Sequence, residues 1–181
     1  MKSRIALRII AVIVFAVVVQ QLIAHYDQWL PHRWHTYTAD DGTFSIDLPG
    51  KPTVDAIPVP TASGTTRMFN LIAVSPTPNT SYSCAYLELG NISSPDAALA
   101  SARDGSLQKT QSTLISENRI DVAGYPALEM QANARGNSLL DARIIIVGTR
   151  LYMIDGIATV KQDREPRTLQ RIMNSFKILR K

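Results

Sequence analysis

Residues 5–24 are apolar except for Arg8, Gln20 and Gln21. At the helical rise a run of that length reaches about 30 Å, the thickness of the hydrocarbon core of a bilayer. A chain that opens this way is divided: one segment is suited to lipid, and the remainder must bury a core of its own. Lys2, Arg4 and Arg8 lie on the leading side of the run with no acid among them, so the positive-inside bias sets the N-terminus in the cytoplasm and everything after Ala24 outside. The rival reading is a cleaved secretory signal, because the uninterrupted part, residues 9–19, is short enough for one. Its best cleavage point follows Leu22-Ile23-Ala24, which puts Leu where a small side chain is wanted and favours an uncleaved anchor. Both readings export the rest.

The stretch "HYDQWLPHRWH" comes next and holds Tyr26, Trp29 and Trp34. Amphipathic rings are favoured at the headgroup level, so it reads as an interfacial collar; Trp34 reads equally well as the first residue of the first strand. The same stretch contains His25, His32 and His35. Pro31 breaks any shared helix face and no further ligand is in view, so a metal site is not expected.

Charge is uneven along the chain. Residues 25–160 hold nine basic and thirteen acidic side chains, whereas residues 161–181 hold seven basic and two acidic. The body of the exported part is therefore mildly acidic, without the basic stripe and interleaved aromatics that nucleic acid requires. The C-terminal cations, Lys161, Arg164, Arg167, Arg171, Lys177, Arg180 and Lys181, suit anionic headgroups or an acidic partner, or simply the solvated face of an amphipathic helix.

Motifs that carry chemistry are missing. Gly50-Lys51 is preceded by Ser45 where a phosphate loop needs glycine and is followed by Pro52, which has no N–H; it marks a chain reversal. Cys84 is the only cysteine, so an internal disulfide is excluded, and the run "SYSCAYLEL" makes it a small, half-buried core thiol. Asp40 and Asp41 read as solvated turn formers. There is no GxSxG, HExxH, CxxC or GxGxxG pattern, and no catalytic, cofactor-binding or metal-binding residue is expected.

The organisation of the exported part can be read from its punctuation. Residues 34–38 and 44–48 flank Asp40-Asp41-Gly42, a hairpin signal. A loop is expected at 61–66, followed by strands over 67–75 and 81–89. Ser94-Pro95-Asp96 supplies an N-cap, a first-turn proline and an acid at the positive end of a helix that runs to about Thr110. Strands resume at 114–122, turn at Gly124-Tyr125-Pro126, continue through 127–132, turn at Arg135-Gly136-Asn137 and return through 140–147. A hairpin centred near Gly136 sets Glu129 opposite Arg143. "RIIIV" is apolar at both parities, as a strand covered on both faces would be. After Gly148-Thr149 comes "RLYMI", then a helix near Pro166 whose buried stripe is Leu169, Ile172, Met173 and Phe176. The fold class is α+β, an antiparallel β-sheet flanked by helices, after an N-terminal transmembrane helix.

The pattern "DGTFSIDLPGKP", followed by a helix, "GYPALE", "GTRLYMI" and a closing "NSFKIL", resembles exported bacterial proteins of the PsbP-like group, DcrB-type envelope proteins among them, over about residues 34–180. The resemblance implies an α/β/α sandwich used mainly as an accessory or binding domain, with no catalytic signature to carry over. The chain departs from DcrB-type lipoproteins in lacking a lipid-modifiable cysteine after its apolar run. The expected organisation is an anchor at 1–24, a linker at 25–33 and a periplasmic domain at 34–181. Its expected partners are the bilayer, through residues 5–24, and another envelope protein, with no cofactor and no nucleic acid. A small-molecule or lipid-binding domain is the alternative, and an envelope enzyme the third.

Overall fold

The computed structural model describes residues 33–61, 64–75, 77 and 79–179. The anchor expected at residues 5–24, together with Tyr26, Trp29, His25 and His32, lies outside them. Among the described residues no helix is long and apolar enough to cross a membrane.

Among the described residues ten strands and two α-helices follow one another: β1 (Trp34–Thr38), β2 (Phe44–Pro49), β3 (Thr53–Thr61), β4 (Gly64–Val74), β5 (Thr80–Glu88), α1 (Pro95–Thr110), β6 (Thr113–Val122), β7 (Tyr125–Ala134), β8 (Ser138–Val147), β9 (Arg150–Ala158), α2 (Pro166–Ser175) and β10 (Lys177–Ile178). They form a seven-stranded antiparallel sheet ordered β3-β4-β5-β9-β8-β7-β6 and a three-stranded sheet ordered β1-β2-β10. Among the described residues the architecture is mostly antiparallel sheet with two α-helices.

The helices begin where the sequence puts them. Ser94 accepts a bond from the Ala97 N–H, Pro95 opens α1, and Gln111 closes it in a left-handed conformation. The stripe of α2 is buried as expected at Leu169, Ile172, Met173 and Phe176. This helix packs closely on the sheet: a Cβ added to Gly156 of β9 would meet Tyr82 Cδ1 at 3.1 Å and Leu169 Cδ2 at 3.2 Å.

The large sheet separates two cores. Leu99 of α1 packs over Leu128, Met130, Leu140, Ile144, Ile146 and Leu151. On the opposite face α2 and the small sheet cover Leu71, Tyr82, Cys84, Ile145, Tyr152 and Ile154 with Phe44, Ile46, Leu48 and the α2 stripe. Ile144, Ile145 and Ile146 are all essentially inaccessible, as a strand covered on both faces requires. Cys84 is fully buried rather than half-buried, because its side of β5 faces this second core. Trp34 does begin β1.

Two local expectations change, and two strands appear that the sequence reading did not name. β3 exists despite Pro58 and Pro60, because at the sheet edge a residue without an N–H breaks no ladder. The loop expected at 61–66 is shorter, since Thr61 already pairs with Gly64. The turn expected at 124–126 is Ala123-Gly124, both at positive φ, with Tyr125 and Pro126 already in β7. The chain's last strand, β10, pairs with β2 at Ser45 and Phe44, a contact that no local pattern announces.

Candidate functional site

Strands β6, β7 and β8 extend beyond α2, and the face they leave beside it is polar. On β7 and β8 the α1 side carries Leu128, Met130, Leu140, Ala142 and Ile144; the alternate residues on the α2 side are Glu129, Gln131, Asp141 and Arg143. Register sets Glu129 opposite Arg143, Gln131 opposite Asp141, and on β6 Asn118 opposite Glu129 and Ser116 opposite Gln131. With Pro166, Leu169, Gln170 and Met173 of α2 they line an open groove of about 280 Å³.

Two arginines tie α2 across this groove. Arg143 donates to Glu129 Oε1 from Nε at 2.9 Å and from Nη2 at 2.5 Å, and its Nη1 donates to the Met173 carbonyl at 3.0 Å. That carbonyl is in the last turn of α2, where helix acceptors lack internal partners and cations are favoured. At the other end Arg164 donates to both oxygens of Asp141, at 2.7 and 2.9 Å, and Gln131 Nε2 donates to the same carboxylate at 2.7 Å. Both carboxylates therefore commit acceptor sites to arginine or glutamine, and Ser116, Asn118 and Gln170 stand exposed on the walls.

A second carboxylate cluster holds the start of α2. Glu165, its N-cap residue, accepts from Ser75 Oγ at 2.9 Å, from Tyr82 Oη at 2.8 Å and from Thr77 Oγ1. Burial and the Glu165 charge both raise the Tyr82 phenol pKa. The crevice here is about 10 Å³, room for at most about one water.

Outside the groove, Asp155 on β9 is the notable group. It is 9% exposed and accepts from Ser83 Oγ at 2.5 Å. Burial pushes its carboxyl up to about 6, against the bond from Ser83 and the charge of Lys109. Burial and the Asp155 charge push the Cys84 thiol up as well, so the sulfur is a thiol rather than a nucleophilic thiolate.

The residues singled out in the sequence fall in several places. His35 is exposed on β1. Gly50 ends β2 with φ +86° and no Cβ contact nearby, a turn residue. Asp41 is more than a solvated turn former: it takes an ion pair at 2.7 Å from Arg150, which also binds Glu88. Of the C-terminal cations, Arg164 reaches Asp141, Arg171 stacks 3.7 Å from the Trp34 ring, and Lys161, Arg167 and Lys177 are exposed. The Glu129–Arg143 pair forms as its hairpin implies. Asp141 and Asp155 were not singled out; the only local sign of Asp155 is an acid inside the apolar run "LYMIDGIA". Among the described residues no group of His, Cys, Asp and Glu could hold a metal ion.

No protein-family model matches the chain, and no curated protein matches it significantly. Among solved structures it is similar to the solution structure of the cyanobacterial PsbP, CyanoP, from Synechocystis sp. PCC 6803. The TM-score is 0.54 at 13% identity, over 81% of this chain and 93% of that one. A protein of unknown function from Pseudomonas aeruginosa aligns over 78% of this chain and 90% of its own, with a TM-score of 0.40 and 12% identity. The first likeness shows the fold.

Proposed function

We propose that this chain is a non-catalytic accessory protein of the cell envelope, held in the inner membrane by residues 5–24, which uses its exported domain to bind another envelope protein. The observation that carries the reading is the groove beside α2. Its carboxylates are bound to arginine and glutamine, so what it offers a visitor is hydrogen-bonding side chains on an open surface, a recognition surface rather than a reaction centre. A PsbP-like fold agrees with an accessory role, and the membrane placement rests on the apolar run and its leading cations. A small-molecule or lipid site would call for an enclosed, mostly apolar pocket; the groove is open and mixed in polarity.

The test is site-specific photocrosslinking in cells with the full-length chain. A crosslinker at Gln170, on the groove wall, should capture a defined protein that one at Val54, on the distant edge strand, does not. If a chain whose residues 34–181 are replaced by an unrelated domain retains the same neighbours, the exported domain selects no partner and the proposal fails.

A further inference from the structure

The large sheet ends at β3 on one side and β6 on the other, and the two edges are built differently. β3 carries Pro58 and Pro60, which offer no N–H to a newcomer. β6 has no proline, glycine or lysine, and Ser116, Glu117, Asn118 and Arg119 are all exposed. Its outward bonding groups follow from its hairpin. Ala123 and Gly124 both have positive φ, as a two-residue type I′ turn requires, so Val122 and Tyr125 exchange bonds across it. Bonded pairs alternate along an antiparallel ladder, so Ile120 and Asn118 bond inward to β7. Asp121, Arg119 and Glu117 turn their N–H and C=O groups outward. Pro126 fits this parity: it stands opposite Asp121, at a pair that exchanges no bonds.

We propose that β6 pairs with β6 of a second copy of this chain, antiparallel, about a two-fold axis through Asn118. In that register Glu117 of each copy stands opposite Arg119 of the other, and the outward backbone groups of both residues meet in bonded pairs. The charges complement one another twice, once on each side of the axis. Both side chains lie on the α1 face, where Glu117 already binds Arg103 at 2.6 Å and Arg119 lies 3.5 Å from Asp96. Pairing therefore lines up Asp96, Arg119, Glu117 of the second copy and Arg103 of the second copy, alternating in sign. Moving the axis to Ile120 would also oppose Arg119 and Asp121, but the ladder would then run into the Ala123-Gly124 turn; an axis nearer Thr113 meets the bulge between Leu114 and Ser116. On the other face, Ser116 and Asn118 line the groove, so two grooves come side by side on one continuous sheet. The pairing does not depend on what the groove binds.

The full-length chain in mild detergent, with Asn118→Cys, tests this directly. Opposed residues at such a non-bonded pair have Cα atoms about 4.5 Å apart, within disulfide reach, and Cys84 is buried and does not compete. Mild oxidation should give a linked dimer with Asn118→Cys and none above background with Asp55→Cys on the other edge. Adding Glu117→Arg should abolish the link and lower the sedimentation mass of the otherwise unaltered protein. Adding Glu117→Arg and Arg119→Glu together should restore both. Equal linking from Asn118→Cys and Asp55→Cys overturns the proposal, as does a double exchange that behaves like the single one.

Discussion

β7 and β8 present one face to α1 and the other to α2, and the two faces are finished in different ways. Toward α1 every inward position is apolar: Leu128, Met130, Ala132, Leu140, Ala142, Ile144 and Ile146 are buried under Leu99 and its neighbours. Toward α2 the same strands are apolar toward their ends, at Ala127, Ile145 and Leu139, and polar between, where Glu129, Gln131, Asp141 and Arg143 pair among themselves and with the ends of α2. Strand alternation permits this split. A sealed apolar face stabilises through burial, whereas the ion-paired half holds α2 in position and keeps hydrogen-bonding groups at the surface.

The largest expected effect comes from moving a charge from one face to the other. Ile146→Lys puts an ammonium where exposure is 2%, among the apolar side chains of the α1 core; the cost should exceed about 3 kcal/mol, since burying a charge in such a core is among the most destabilising changes known. Gln131→Lys, on the groove face beside Asp141, should shift stability by less than about 1 kcal/mol. Urea unfolding of both variants decides it. Similar midpoints would mean that the α1 face is not the sealed one.

How much of this was legible beforehand depends on whether the signal was local. α1 could be read because Ser94, Pro95 and Asp96 announce its start within three residues, and α2 because its buried stripe repeats at helical spacing. The Glu129–Arg143 pair could be read from a hairpin centred on Gly136, whose φ of +70° suits glycine. β3 could not, because Pro58 and Pro60 read as breakers unless the strand is known to lie at an edge. β10 could not, because two residues become a strand only through Phe44 and Ser45, far away in the chain. The groove as a whole needs the register of three strands and the placement of α2, none of which is local. Asp155 differs again: its carboxyl is buried by tertiary packing, and a single acid in an apolar run has no pattern.

Asp155 gives the next effect, and it sharpens the comparison because an acid sits where the α1 side is otherwise apolar. Folding raises its pKa from an ordinary 3.8 to about 6, so the folded chain binds this proton more tightly than the unfolded one. Its penalty is absent below about pH 4, grows as the pH rises to about 6, and is complete above that; two units correspond to about 3 kcal/mol. Asp155→Asn keeps an acceptor for Ser83 and removes the charge. It should therefore be more stable than the parent at pH 7 by about 2 kcal/mol and equal to it at pH 4. A stability difference independent of pH between 4 and 7 would assign the effect to packing instead of ionisation.

The smallest effect separates the two ion pairs of the groove. Arg143 is 12% exposed and makes three bonds, one of them to the last turn of α2, whereas Arg164 is 37% exposed and binds only Asp141 among the described residues. Removing the first leaves Glu129 without its arginine and the Met173 carbonyl without its donor, so Arg143→Ala should cost about 2 kcal/mol. Arg164→Ala loses a pair more open to water and should cost about 0.5 kcal/mol, while Gln131 still binds Asp141. Salt distinguishes the two further. Raising the ionic strength should erase most of the Arg164 effect and little of the Arg143 effect, because exposed charges are screened and bonds to a buried carbonyl are not. Equal losses that salt reduces alike would make both pairs surface ornaments of the groove, and α2 would then be held by its apolar stripe alone.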